Sequence, residues 1–115
     1  PYVRHIAHPT GRIIGRRPGY KPNIEKLMKL AEETNTILEI NANPKRLDLN
    51  AETVRKYPNV KLTINTDAHH TNHLEFMKYG VATAQKGFVT KDRVVNALSR
   101  EEFKSLIENN IKLRK

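Results

Sequence analysis

The chain has 115 residues, no cysteine, 37% hydrophobic residues and a formal net charge of +9. This length fits one modest domain. The lack of cysteine excludes a disulfide framework, a thiolate nucleophile and a zinc-thiolate site. Any metal must therefore be held by histidine and carboxylate. No apolar run approaches the roughly 20 residues of a membrane-spanning helix. We therefore expect a cytoplasmic chain with no membrane partner.

Basic residues are concentrated at the start of the chain. Residues 1–20 carry four arginines, Arg4, Arg12, Arg16 and Arg17, and no acidic residue. This imbalance indicates an acidic partner near that segment, although a solubilising surface charge is a serious alternative. The chain also begins without methionine, directly in a strand-like segment, which suggests a piece of a longer protein.

Strand-length apolar runs alternate with helix-period stretches, the pattern of βα units with parallel strands. The first half predicts a strand over 3–7, a loop rich in glycine and arginine over 8–20, and a helix that opens at Pro22-Asn23. A second strand over 36–41, a loop containing 43–46, and a short helix over 51–56 capped by Asn50 follow.

The second half predicts a third strand over 60–65 that runs directly into a polar segment at 66–70. Thr71 or Asn72 is expected to cap a helix that ends near Tyr79-Gly80, before a short fourth strand over 81–84. Thr90 is expected to cap a helix through Leu98. Ser99 and Glu102 form a capping-box pattern that begins a last helix through Ile111, and 112–115 is expected to be a frayed tail.

Polar side chains follow three of the predicted strands: His8 after the first, Asn41 at the end of the second, and Asp67 with His69 after the third. Parallel strands end at a common edge, so these groups are expected to lie close together. Imidazole and carboxylate donors suit a divalent metal such as Zn²⁺ or Mn²⁺.

Each of these residues also has a structural reading. His8 could simply terminate a strand, and Asp67 could be an Asx-turn residue. His70 and His73 are more often solvated residues at a helix start than ligands. Glu39 points into a parallel sheet and needs a partner, for which an arginine is expected.

Three motifs stand out in the sequence: His-Pro-Thr-Gly-Arg at 8–12, Leu-Glu-Ile-Asn-Ala-Asn-Pro-x-Arg-Leu-Asp-Leu at 38–49, and Ile-Asn-Thr-Asp-Ala-His at 64–69. Together they resemble the C-terminal part of the PHP (polymerase and histidinol phosphatase) domain of bacterial and archaeal family X DNA polymerases. The segment Met-x-Tyr-Gly-Val-Ala-Thr-Ala at 77–84 is similar to the same group, and the middle motif points to the polymerase branch.

The resemblance implies an α/β fold, the C-terminal portion of a distorted seven-stranded βα barrel, with up to three divalent metals at the strand ends. It makes His8, Asp67 and His69 metal ligands and catalytic residues, whereas the family's N-terminal His-x-His motif, central glutamate and further histidines have no counterpart here. Arg12, Arg16, Arg17 and Arg46 are candidate phosphate contacts, and Asn41 and Asn43 could orient substrate or water.

Three functional hypotheses follow. The first is part of a metal-dependent phosphoesterase, a 3′-5′ exonuclease or 3′-end phosphatase acting on DNA, whose partners would be the rest of the barrel and a polymerase. The second is a stand-alone phosphatase for a small ester such as histidinol phosphate. The third, favoured for the isolated chain, is a non-catalytic module that binds nucleic acid. Open sheet edges would also favour self-association.

Overall fold

Three short parallel strands form the centre of the fold. The computed structural model describes residues 2–112, and the strands are β1 (His5–Ile6), β2 (Ile37–Asn41) and β3 (Leu62–Asn65), in that order across the sheet. Both pairings are parallel, and Asn41 lies opposite Asn65. The carboxyl ends of the strands therefore share one edge, as predicted, although β1 keeps only two of the five residues expected over 3–7.

The helices are α1 (Ile24–Glu33), α2 (Ala51–Lys56), α3 (Met77–Lys86) and α4 (Arg100–Lys112). Asn23 and Asn50 cap α1 and α2 by accepting hydrogen bonds from backbone N–H groups three residues on. The predicted capping box is confirmed, because Ser99 N–H donates to Glu102 Oε2 (2.6 Å) and Glu102 N–H donates to Ser99 Oγ (3.2 Å). These bonds from Ser99 lower the pKa of Glu102.

The two faces of the sheet differ in polarity. Side chains alternate along each strand, so that Leu38, Ile40, Leu62 and Ile64 all point to one face and are buried with residues from the helices and the loop before α2. That cluster is completed by Met28, Ala31, Ala42, Leu49, Val54, Val60 and Ala84. Truncating a fully buried leucine of this core to alanine costs about 2–5 kcal/mol. The opposite face is polar.

Gly80 lies inside α3, so the predicted helix end near Tyr79-Gly80 and the predicted strand over 81–84 are wrong. The reason is packing. A Cβ at Gly80 would lie 2.4 Å from Ile64 Cγ2 and 2.7 Å from Ala42 Cβ, so the glycine lets α3 approach the sheet closely. From sequence alone, a glycine that ends a helix cannot be distinguished from a glycine inside a helix that allows close packing against a sheet.

The segments before and after α3 also differ from prediction. A 3-10 helix, Thr71–Phe76, precedes α3 and is capped by His70, whose Nδ1 accepts from Asn72 N–H at 3.3 Å, rather than by Thr71 or Asn72. The predicted α-helix after Thr90 is replaced by two short 3-10 turns, Lys91–Arg93 and Val95–Ala97.

Residues 91–97, after α3, are held against β3 by tertiary contacts. Val94 forms a parallel bridge with Leu62, and the side-chain amide of Asn96 bonds both backbone groups of Ile64, at 2.8 and 3.1 Å. The Arg93 guanidinium donates to the backbone carbonyls of Val54, Tyr57 and Val60. The β3 edge is thus covered along these residues, whereas within residues 2–112 β1 pairs only with β2.

The last described element, α4, closes over part of the polar face. The Asn110 side-chain amide donates to Asn35 O at 2.5 Å, and Phe103 and Ile107 line a cavity with His5 and Thr63. Lys112 is the last residue of α4, and the rest of the predicted frayed tail lies outside the described residues. Across 2–112, no helix has the length and apolar character needed to span a bilayer.

Replacing Gly80 by alanine is expected to lower the free energy of unfolding by about 1–3 kcal/mol, because the added methyl overlaps a packed core. Denaturant unfolding measures this change, with Lys78→Ala on the exposed side of α3 as a control that should change stability by less than about 0.5 kcal/mol. A more stable Gly80→Ala protein would show that helix propensity outweighs the close approach.

Candidate active site at the carboxyl edge of the sheet

The buried carboxylate of Glu39 connects the ends of all three strands. Only 4% of this residue is exposed, and its oxygens accept from His8 N–H after β1 (2.6 Å), Asn41 Nδ2 in β2 (3.2 Å) and Asn65 Nδ2 in β3 (3.0 Å). Among residues 2–112, the expected arginine partner is therefore wrong. Amide donors satisfy the carboxylate instead, and Glu39 and Asn41 do share the polar face of the sheet as the alternation predicts.

The polar face continues away from this edge as a chain of hydrogen bonds. Asn65 Nδ2 also donates to Thr63 Oγ1 at 3.1 Å, and Thr63 Oγ1 lies 2.7 Å from His5 Nε2. At the carboxyl edge, Asn41 Oδ1 accepts from Asn43 N–H at 3.0 Å. The roles predicted for Asn41 and Asn43 are thus partly structural, since Asn41 uses both ends of its amide within the protein.

A second buried carboxylate, that of Asp48, holds the loop after β1. Asp48 is 1% exposed, and its Oδ2 accepts from Thr10 N–H (2.9 Å), Thr10 Oγ1 (2.9 Å) and Gly11 N–H (3.1 Å). Its backbone pairs with that of Asn41. Sequence reasoning missed this residue as an organiser, although its position beside Arg46 in the motif at 38–49 was a signal.

Arginines connect the loop after β1 with the loop between β2 and α2, and the latter with the segment after β3. Arg12 Nε donates to Arg46 O at 2.7 Å and its Nη2 donates to Leu47 O, while Arg17 donates twice to Gly11 O. Arg46 Nε donates to Asp67 Oδ2 at 3.0 Å, a half-buried ion pair. Of the predicted phosphate contacts, Arg16 is exposed, whereas the other three already hold loop carbonyls or a carboxylate.

Asp67 and His69 lie side by side after β3. His69 Nδ1 is 2.7 Å from the backbone oxygen of Asp67 and 3.9 Å from its Oδ1. A carbonyl oxygen can only accept, so Nδ1 carries the hydrogen and, in the neutral ring, Nε2 keeps its lone pair. Metal-binding histidines are usually held in this way, with the second ring nitrogen donating to a carbonyl or carboxylate.

Left-handed backbone conformations are concentrated at this edge. Five non-glycine residues among 2–112 have positive φ, and His8 (29°), Leu47 (46°) and Asp67 (53°) all belong to the three loops described above. Such conformations cost about 1–3 kcal/mol each and persist where surrounding contacts impose them. Here the contacts are those of Glu39 to His8, Arg12 to Leu47, and Arg46 to Asp67.

Asp67 and His69 are the candidate metal donors that the structure brings together at this edge. Within residues 2–112, no three histidine, aspartate or glutamate side chains group so that they could hold a metal, and catalytic metals usually take three protein ligands. Asp67 and His69 are brought together, but His8 does not join them in a three-donor group. The chemistry and tautomer of the pair fit a corner of a metal centre, and a complete one needs further donors.

One comparison with known proteins tests the predicted resemblance. Over 111 residues the chain is 49% identical to a protein of Bacillus subtilis (strain 168) described as DNA polymerase/3'-5' exonuclease PolX, across 95% of this chain. The predicted resemblance to the family X DNA polymerases is confirmed. The chain spans 20% of the length of that polymerase, and a scan against protein-family models gave no match. All three motif segments of the family X resemblance form the edge described above.

Glu39→Gln is expected to lower the free energy of unfolding by about 1–3 kcal/mol, because a glutamine NH₂ would face an amide donor that the carboxylate now satisfies. Thermal or denaturant unfolding gives the value. Glu108→Gln, on an exposed part of α4, is the matched control and should leave stability unchanged. Equal stability of both variants would mean that Glu39 does not hold the strand ends.

Proposed function

We propose that this chain is part of a metal-dependent phosphoesterase domain, a PHP barrel, that removes nucleotides or phosphate from DNA 3′ ends in a cytoplasmic family X polymerase. The observation that carries this proposal is the convergence of the three motif loops at one edge of the sheet, in a chain 49% identical to a polymerase/3'-5' exonuclease. That similarity favours DNA over a small phosphate ester as substrate.

The site residues would have two roles, metal binding and phosphate binding. Asp67 and His69 each offer one donor to a Mn²⁺ or Zn²⁺ centre of up to three ions, His8 offers a further imidazole, and the remaining donors come from outside this chain. Such a centre activates water and neutralises charge on a phosphoryl group. Arg16 would bind phosphate with its whole guanidinium group. Arg12 and Arg46 would bind phosphate with the N–H groups that they do not use in bonds within the protein.

Within this proposal, Glu39 and Asp48 position the site. Glu39 fixes the backbone of His8, and Asp48 fixes Thr10 and Gly11, so that the loop after β1 keeps one conformation beside the loop that carries Arg46. Arg46 in turn orients the Asp67 carboxylate through its 3.0 Å ion pair. A fixed arrangement of donors and guanidinium groups is what hydrolysis of a phosphate ester requires.

A specific observation favours the binding module as the function of the chain alone. Since residues 2–112 contain no complete metal-holding group, this chain by itself is expected to bind metal weakly and DNA through its arginines, without turnover. Catalysis is proposed only for the larger protein to which it belongs.

Asp67→Ala and His8→Ala are each expected to weaken binding of Mn²⁺ or Zn²⁺ to this chain in calorimetric titrations. In the polymerase that contains this segment, each should slow release of nucleotides from a DNA 3′ end by at least about 10- to 100-fold, as loss of groups around a metal does. Glu108→Ala should change neither measurement. Full nuclease activity in both His8→Ala and Asp67→Ala would rule out the proposed site.

A further inference from the structure

Two depressions of the surface share Arg12 and have further cationic side chains in linings that are otherwise apolar or neutral. One, of about 390 Å³, lies in the turn formed by residues 12–18, which contains Arg12, Arg16 and Arg17. The other, of about 350 Å³, lies between α2 and α3 and is lined by Arg12, Tyr79 and Lys86 among others. Arg12 lines both, and neither is lined by an acidic residue. The two depressions meet at Arg12, and we call them together the arginine track.

The arginine track is connected to the candidate active site through Arg12, and the exposed aromatic residue Phe88 follows its lining residue Lys86 in the chain without lining either depression. At one end, the backbone oxygen of Arg12 accepts from Arg46 Nη1 at 3.4 Å, and Arg46 binds Asp67. At the other end, Phe88 comes two residues after Lys86, and its ring lies 4.6 Å from the guanidinium carbon of Arg55, one turn along α2 from the pocket residue Ala51.

Phe88 occupies a position that suits glycine. It follows the C-terminal cap of α3 with φ of 52°, and its N–H and that of Val89 bond the last carbonyls of the helix, to Gln85 O and Ala84 O. Helices that end in this left-handed conformation usually have glycine there, because a side chain is strained in that backbone conformation. Phe88 is nevertheless 68% exposed, so core packing does not account for its presence.

Exposed aromatic rings beside cations are the features that bind single-stranded nucleic acid. Bases stack on aromatic side chains while the backbone phosphates follow a positively charged groove. Tyr79, 41% exposed, and Phe88 supply two rings, with Arg55 and Lys78 held against them by cation–π contacts at 4.6 and 5.3 Å. Arg12, Arg16 and Lys86 supply the charge.

We propose that the arginine track binds single-stranded DNA, with bases stacked on Tyr79 and Phe88 and phosphates bound by Arg16 and Lys86, and so leads a strand to the edge that carries Asp67. This inference rests on the proposed function for the direction of the strand. The linings of the arginine track do not include His8, Asp67 or His69.

The test is binding of a fluorescein-labelled oligothymidylate to this chain, followed by anisotropy without added metal. Phe88→Gly is the decisive variant, because glycine suits the backbone at that position and should maintain or raise the melting temperature. We expect it and Tyr79→Ala each to weaken binding about 5-fold or more. Arg16→Ala should reduce the slope of log K against log salt concentration by about 0.7.

Phe103→Ala, on an exposed part of α4, is the matched aromatic control and should bind the oligonucleotide like the parent chain. Equal affinity of the Phe88→Gly, Tyr79→Ala and parent proteins for the oligonucleotide would overturn the proposal. Duplex DNA that binds the parent chain as tightly as the single strand, with an affinity that neither variant changes, would also overturn it. Because the assay contains no metal and no cleavage step, its failure is distinct from failure of the proposed nuclease function.

Discussion

The arrangement of this molecule depends on one buried carboxylate, that of Glu39. A carboxylate removed from water is costly unless its oxygens accept several hydrogen bonds, and Glu39 obtains them from a group at the end of each strand: His8 N–H, Asn41 Nδ2 and Asn65 Nδ2. Satisfying this one side chain therefore brings the three strand ends into register on the polar face. The apolar face supplies the stability, through its contacts with the helices.

The loops at that edge are built by the same physical rule. Asp48 is buried and satisfied by Thr10 and Gly11, and Arg46 pairs with Asp67. Each loop thus carries a polar group that is fixed by a residue from another loop, which explains how His8 and Asp67 are held in left-handed conformations. Contacts between sequence-distant motifs, rather than the motifs singly, define the candidate site.

Local signals predicted much of this fold. The side-chain caps of α1 and α2, the capping box of α4 and the alternation in β2 and β3 all involve residues within a few positions of one another. The errors arose where tertiary contacts override local preference. Gly80 is helical because Ile64 and Ala42 leave no room for a side chain, and residues 91–97 bond along β3 instead of forming an α-helix. The amide partners of Glu39 could not be identified from sequence, because Asn65 is 26 positions away.

In the function proposed above, this chain binds metal and phosphate at the carboxyl edge of the sheet. The most direct test is NMR of the chain with substoichiometric Mn²⁺, which broadens the signals of nuclei near a bound ion even when binding is weak. We expect selective loss of the amide signals of His8, Asp67 and His69. Broadening centred instead on exposed carboxylates of α4, such as Glu101 and Glu108, with no loss at His8, Asp67 and His69, would contradict it.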